Sequence, residues 1–346
     1  MSTIAFFSKY LPSDKPSGVS VQVHRLAQQL VRNGHAVTCY SFSPAPEDAI
    51  YNVVQLEWKT GSPLLRKLFP AIAFRSVSLK SFDINHYHGD DYLCKGSSRR
   101  VRTFYGSALN EALHAATVPR FMYQALFYFF EWVSCLKKGK LAGISRTTAK
   151  RLPCVRSVIY CSVPLEIYTP GETSNTPNPS LLFLGDLDSR KRGRLLVNIF
   201  HGEIIKRFPD CTLTIIGPQP CNGKNIEYIG NCTEQELIRQ YQKSWGCCMP
   251  SSYEGFGVPV LEAFACGCAV VATVNSGVRE VITHEVNGMV CTPETLGITV
   301  IEVLENSKLR SSLIHNGKQS ARSFATEKIA GEYERFYREL MQGLPE

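Results

Sequence analysis

No stretch of this 346-residue chain is apolar for long enough to cross a bilayer as a helix, and no C-x-x-C pair occurs among its 13 cysteines. The first absence argues against a membrane-spanning helix. The second, together with the lack of any His or Cys pair at zinc-ligand spacing, argues against a zinc module and leaves buried free thiols in a reducing compartment as the expectation. The start MSTIAFFSKYLP has a short apolar run without a basic leader or a small-residue cleavage site, so a cytoplasmic protein is expected. No repeat of 20–50 residues and no low-complexity tract is present. Clustered base-stacking aromatics are missing too, so the net charge of +8 is not taken to imply a nucleic-acid partner.

What is present describes a folded chain. Hydrophobic residues make up 44% and charged residues 20%, and the length suits two domains that each bury a core. The charge is uneven. Residues 1–170 hold 21 Lys and Arg against 10 Asp and Glu; residues 171–346 hold 17 against 20. The densest clusters are Arg99, Arg100 and Arg102, then Lys137, Lys138 and Lys140, with Arg66 and Lys67 a smaller one. Any one cluster is expected to be a solvated face. The basic half as a whole equally suits an anionic membrane surface or a phosphate-bearing acceptor.

The pattern along the chain is β-loop-α-β, twice. Strand Ile4–Ser8 leads through a polar loop to a helix with Val19, Val23, Leu26, Ala27 and Leu30 at helical spacing and Gly34 as its stop, then to strand 36–42. Further strands are expected at Val53–Leu56, Asp83–Tyr87, Val101–Phe104, Leu141–Ile144 and Ser157–Ile159. Phe121–Leu136 is strongly aromatic and interrupted by Glu131. It is expected to be a buried or half-buried helix, with a membrane-dipping helix as the second alternative, favoured by Lys137 and Lys138. The proline-rich Tyr168–Ser180 is expected to be the linker. Beyond it come strand Leu181–Gly185, a helix, strand Thr212–Gly217, a helix over Glu234–Lys243, strand 246–252, a glycine turn, a helix from Pro259 and strand 269–274. The domains expected are 1–167 and 168–325, with a C-terminal helix in 326–346 that covers an apolar surface, the first domain being one option.

The chemistry concentrates in SYEGFGVPVLEAFACG. Gly255 and Gly257 permit sharp turns and close ligand approach. Pro259 suits a first helical turn. The N–H groups of Gly257, Val258, Val260 and Leu261 are expected to point outward with the positive helix end, a seat for phosphate. Glu254 stands before the helix and Glu262 one turn inside it. Carboxylates accept strong hydrogen bonds from hydroxyls, so one can meet a sugar and the other a ribose diol.

The run P-S-x-x-E-G-F-G-x-x-x-L-E-A-x-A-x-G, followed by S-G-x-x-E-V-I and N-G, resembles the donor-site signature of the retaining GT-B glycosyltransferases of family 4. Ser17-Gly18-Val19, FDINHYHG, the segment from Gly143 to Thr148 and the loop after Gly185 fall in family order. The resemblance implies two Rossmann-like domains facing a cleft and a hexosyl group moved with retention from a nucleotide-sugar, UDP- or GDP-linked, to a hydroxyl acceptor in glycan, polysaccharide or glycolipid biosynthesis. It implies donor contacts at Gly18, Gly185, Lys191, Arg192, Glu254, Gly255, Phe256, Gly257, Val258 and Glu262. Glu254 would act at the anomeric centre. Lys191, with Arg192 as the competing register, would neutralise the departing diphosphate. No cofactor or metal is implied. The acceptor is expected to be anionic or lipid-linked, with a peripheral membrane contact as a further expectation.

Two positions depart from the family pattern. Asp186 stands where an Arg usually follows the strand-ending glycine, so Lys191, Arg192 or Arg190 would have to supply that cation. Tyr105 stands where a His is usual. His86 and His88 are expected to be a hydrogen-bonding pair at a strand end, and with Tyr105 are candidates for acceptor or donor contact. Asp186-x-Asp188 is discounted as a metal motif. Other functions compatible with these residues are a non-catalytic nucleotide-sugar-binding subunit and another GT-B enzyme, a phosphorylase or nucleotide-sugar epimerase.

Overall fold

The computed structural model describes residues 1–13, 17–62, 65–115, 117–171 and 176–343. The chain forms two compact units, Met1–Ser162 with Thr326–Glu346, and Val163–Ala325.

The first unit is built on seven parallel strands: β1 (Thr3–Phe7), β2 (Ala36–Ser41), β3 (Asn52–Gln55), β4 (Ile84–Tyr87), β5 (Arg100–Phe104), β6 (Lys140–Gly143) and β7 (Ser157–Val158), in the order β3-β2-β1-β4-β5-β6-β7. The helix Gly18–Arg32 begins with a capping box between Ser17 and Ser20, which satisfies donors that a helix start otherwise leaves open. Just beyond its end, Gly34 takes φ 89°, a left-handed conformation that glycine adopts without strain. Val23, Leu26, Ala27 and Leu30 share one core with Ile329, Ala330, Tyr333, Phe336, Tyr337 and Leu340 of the helix Thr326–Gln342. The C-terminal helix is therefore part of the first unit.

The passage between units lies at Ser162–Val163, five residues before the expected boundary at 167. The Val163 N–H donates to Phe324 O at 2.9 Å, and buried Tyr168 donates its hydroxyl to Glu234 Oε1 at 2.9 Å, so this segment packs with the second unit. The expected linker 168–180 thus lies inside the second unit; its residues 172–175 fall outside the described residues.

Two sequence expectations change in the first unit. Cys135 and Cys154 form a disulfide with Cα atoms 6.0 Å apart, so not every thiol is free. Both lie beside one small core of Phe104, Leu152 and Val155, a proximity that a separation of 19 residues does not reveal. The 99–102 cluster is not a surface patch. Arg100 is fully buried and donates to Asp91 and to Ser134 O and Oγ, and only Arg99 is exposed. The aromatic helix spans Val118–Cys135 and fully buries only Ser134 and Cys135. Its inner side stacks Phe130 on Tyr92, ring centroids 4.3 Å apart, and sends Glu131 to the Ala108 N–H at 3.0 Å, the start of the helix Ala108–Leu113. Lys137 turns inward to the carbonyls of Asp91 and Cys94.

The second unit has six parallel strands: β8 (Ser180–Leu184), β9 (Thr212–Ile216), β10 (Ile226–Ile229), β11 (Gly246–Met249), β12 (Ala269–Thr273) and β13 (Met289–Cys291), in the order β10-β9-β8-β11-β12-β13. The two edge strands β10 and β13 are short and half-exposed, which is why their apolar pattern is faint in the sequence. A π-helical turn at Phe200–Ile204 interrupts the helix that begins at Gly193. No helix among the described residues is long and apolar enough to cross a membrane.

Glu131 gives the first unit a pH signature. Burial pushes its carboxyl up to about 7, although the Ala108 N–H and the Arg102 charge pull the other way. A carboxyl raised on folding contributes stability at low pH, and that contribution is lost as pH rises through the folded value. Glu131→Gln is expected to remove this loss: between about pH 5 and 8 its melting temperature should rise relative to wild type. Parallel wild-type and variant profiles in a thermal melt series would contradict it.

Candidate functional site

In the second unit the chain moves from β8 outward to β9 and β10, then returns to place β11 on the other side of β8. Strand order reverses there, so the carboxyl ends of β8 and β11 flank the crevice where open α/β sheets bind ligands. The loop 185–192 leaves β8 and the loop 250–257 leaves β11, and they meet at Glu254.

The Glu254 carboxylate is buried, 6% exposed, and held by two cations. Lys191 Nζ lies 2.6 Å from Oε1 and Arg190 Nη1 lies 3.0 Å from Oε2. Burial by itself would raise the Glu254 pKa. The Lys191 charge, then Arg190, outweigh it and hold the carboxyl below its ordinary value. Arg190 also donates to Tyr253 O at 2.5 Å. Arg192 points elsewhere, donating from Nε to Pro250 O at 2.6 Å and from Nη2 to Thr273 Oγ1 at 3.0 Å. Of the competing cations, Lys191 and Arg190 reach the carboxylate, and Arg192 ties the ends of β11 and β12 together.

Backbone space makes this arrangement possible. Gly185 has φ 148°, and a Cβ there would come within 2.8 Å of the Lys191 side chain. Gly277 presses on Glu254 from the loop after β12: a Cβ would sit 2.4 Å from the Glu254 carbonyl oxygen. Asn275 sets that loop. Its Nδ2 donates to Ser251 O and Thr273 O, and its Oδ1 accepts from the N–H groups of Gly277 and Val278, all at 3.0–3.1 Å. Asn275 does not stand out in the sequence as a site residue, and Gly277 does so only as the glycine of the S-G-x-x-E-V-I segment, with no role of its own. The available signal is a glycine shortly after a strand, where close backbone approach is the usual reason.

The helix Val258–Ala265 starts from Gly257 at φ 109°, with Pro259 in its first turn. Its free donors are fewer than expected. The N–H groups of Val260 and Leu261 donate to Gly257 O at 2.9 and 3.4 Å. Among the described residues, Gly257 and Val258 are the N–H groups at this end without a backbone partner. The Phe256 side chain is core, packed edge-on against Phe324, so only its backbone can face a ligand. Gly255 is half-buried at the turn. Glu262 is buried and accepts from the Tyr241 hydroxyl at 3.3 Å. Asp186 and Asp188 bond locally: Asp186 Oδ1 caps the Asp188 N–H at 2.9 Å, and Asp188 pairs with Arg194 through both oxygens at 2.6 Å. Among the described residues no group of three or more His, Cys, Asp or Glu forms a metal cage.

The remaining candidates belong to the first unit. Gly18 is exposed at the first position of its helix, with open space where a Cβ would be. His86 is fully buried between the Tyr337 hydroxyl, 2.7 Å from Nδ1, and Thr103 Oγ1, 2.8 Å from Nε2. His88 Nδ1 meets the Tyr105 hydroxyl at 3.0 Å, and its buried Nε2 finds no partner among the described residues. Burial pulls both imidazoles well below the usual histidine range, with the Arg102 charge adding to it at His86 and the His86 and Arg102 charges at His88. His86 ties β4 to β5 and to the C-terminal helix. His88 and half-buried Tyr105 are the pair with hydrogen-bonding capacity left for a ligand.

Gly277→Ala should push Glu254 out of its place against Lys191 and Arg190. The expected cost is about 1–3 kcal/mol of second-unit stability, read by denaturant unfolding, with a matching loss of whatever binding Glu254 supports. Unchanged stability and ligand binding would contradict the close packing described here.

Residues 168–320 match the family described as glycosyl transferases group 1. Phosphatidyl-myo-inositol mannosyltransferase of Mycobacterium tuberculosis is 26% identical over 175 residues, 46% of this chain and 46% of that protein. The chain matches less than two thirds of the length of these curated relatives, between 25% and 60%. Sucrose-phosphate synthase of Thermosynechococcus elongatus superposes with a TM-score of 0.81 at 18% identity, covering 99% of this chain and 100% of that one. HepE of Anabaena, solved with UDP-glucose, superposes with a TM-score of 0.75 at 14% identity, covering 98% and 100%. At these identities the likeness is one of fold, the two-domain GT-B architecture.

Proposed function

We propose, from the match of residues 168–320 to the family described as glycosyl transferases group 1, that this protein moves a hexosyl group from a nucleotide-sugar to a hydroxyl acceptor with retention at the anomeric carbon. The observation that carries the proposal is the buried, ionised Glu254 between Lys191 and Arg190 at the strand-order reversal. An ionised carboxylate in that place accepts hydroxyl hydrogen bonds and favours positive charge nearby, as a sugar acquires when its bond to phosphate lengthens. Lys191, with Arg190 beside it, has the opposite sign and suits the diphosphate, and the Gly257 and Val258 N–H groups add donors at a positive helix end. Glu262 would take the ribose hydroxyls.

In this mechanism the bond from the anomeric carbon to the phosphate oxygen breaks as the acceptor oxygen bonds to the same face of that carbon. The acceptor proton passes to the departing phosphate oxygen. The protein's residues position, neutralise and exclude water, and no divalent metal is required to hold the donor. HepE was solved with UDP-glucose, which supports a nucleotide-linked donor here. The relative that acts on phosphatidyl-myo-inositol, and the basic balance of residues 1–170, support a lipid-linked or anionic acceptor reached from a peripheral position on the inner membrane face.

Glu254→Gln should lower transfer by about 10²–10³-fold, the scale of losing one preorganised electrostatic contact to a transition state. Glu262→Ala should chiefly weaken donor binding, about tenfold in Kd, or roughly 1.4 kcal/mol. Thermal shift with UDP, GDP and their sugar conjugates reads binding, and product formation with wild type reads transfer. Full activity in both variants would end the assignment.

A further inference from the structure

The helix Val118–Cys135 is inside out for a surface helix. Its outward stripe carries Val118 (72% exposed), Met122 (66%), Leu126 (47%), Phe129 (60%), Trp132 (37%) and Leu136 (83%) just past its end. These positions recur every three or four residues, so they share one face over about 27 Å of helix. No charged residue interrupts the stripe. Glu131, an acidic residue of this helix, points the other way, to the Ala108 N–H. Surface helices of soluble proteins place polar residues on that face, and a contiguous apolar patch of this kind marks an interaction site.

The charges around the stripe identify the occupant. Residues 111–150 hold six Lys and Arg against two Asp and Glu. Arg120 stands near the start of the helix, 53% exposed beside Glu111, and exposed Lys138 follows Leu136 at the other end. On the neighbouring helix Leu65–Arg75, Lys67 lies over the Tyr123 ring at 3.9 Å, and Leu65 and Ile72 are exposed apolar residues. A flat apolar stripe with Phe and Trp on it and basic residues at its ends and flank fits the boundary between headgroups and acyl chains of an anionic bilayer.

We propose that this face seats the protein on an anionic lipid surface, lying in the interface without crossing it. The proposal rests on the peripheral membrane position suggested above and gives it a specific surface and lipid charge. In it, Met122, Leu126 and Phe129 enter the acyl boundary, while Lys138 and Lys67 meet lipid phosphates. Lys137 takes no part, because it is committed to two internal carbonyls.

Vesicle flotation of the full chain tests this without reference to transfer. Wild type should float with phosphatidylcholine–phosphatidylglycerol vesicles and much less with phosphatidylcholine alone, and the difference should shrink at high salt as screening grows. Met122→Glu combined with Phe129→Glu should cut partitioning at least tenfold, while Lys138→Glu should weaken only the anionic, salt-sensitive part. The nucleotide-induced thermal shift, a property of the second unit, should persist in all variants and reports folding independently. Absence of wild-type flotation with anionic vesicles, or undiminished flotation of the double variant, overturns the proposal. So does a wild-type dimer, measured by light scattering, that the double variant abolishes without any vesicle binding, since a second copy would then cover the face. Transfer without flotation would leave the enzyme intact and remove only the membrane face; flotation without transfer would do the reverse.

Discussion

The ion group of Glu254, Lys191 and Arg190 is the contact on which the second unit's crevice depends. A buried carboxylate is costly unless paired and hydrogen-bonded. Here the partners come from the loop after β8, while Glu254 belongs to the loop after β11. One interaction therefore holds two strand ends in register across the reversal of strand order and presents a fixed negative charge with positive charge at its edge. Remove the cations and the buried Glu254 carboxylate is left without compensation.

The surroundings of that group are built to prevent such a loss. Arg192 fastens Pro250 and Thr273, Asn275 gathers Ser251, Thr273 and Gly277, and Gly277 lies against the Glu254 backbone with no room for a side chain. These residues need not touch a ligand to matter. They fix where the carboxylate points, and an electrostatic site works only when its charges are placed before the substrate arrives. In the first unit a comparable bond network, His86 with Tyr337 and Thr103, ties the C-terminal helix to the carboxyl end of β4.

Much of this was legible because strong local signals coincide. The central strands β8, β11 and β12 read as nearly continuous apolar runs bounded by glycine or polar turns, and the E-G-F-G turn before Pro259 announces a helix start beside a carboxylate. What stayed hidden depends on contacts distant in sequence. Arg190, Lys191 and Arg192 are consecutive cations, and only the left-handed backbone of Arg192 (φ 53°) and the turn before it decide which two face Glu254. Val260 and Leu261 looked like free donors, but the Gly257 carbonyl turns back to accept from both. Arg100 looked like surface charge in a basic run, yet Asp91 and Ser134 bury it. The aromatic helix was legible as a buried or half-buried element, but composition does not tell which side of a helix has neighbours; its inner side is served by Tyr92, Ser107 and Ala108.

The central claim is that Glu254 stays ionised because two cations compensate its burial. The most direct measurement is a pH titration of its carboxyl carbon by ¹³C NMR in glutamate-labelled protein, assigned with Glu254→Gln and repeated in Lys191→Met. The account predicts titration below the ordinary glutamate range in wild type and an upward move when Lys191 is lost. A wild-type carboxyl that titrates in or above the ordinary range, unmoved by the substitution, would contradict it.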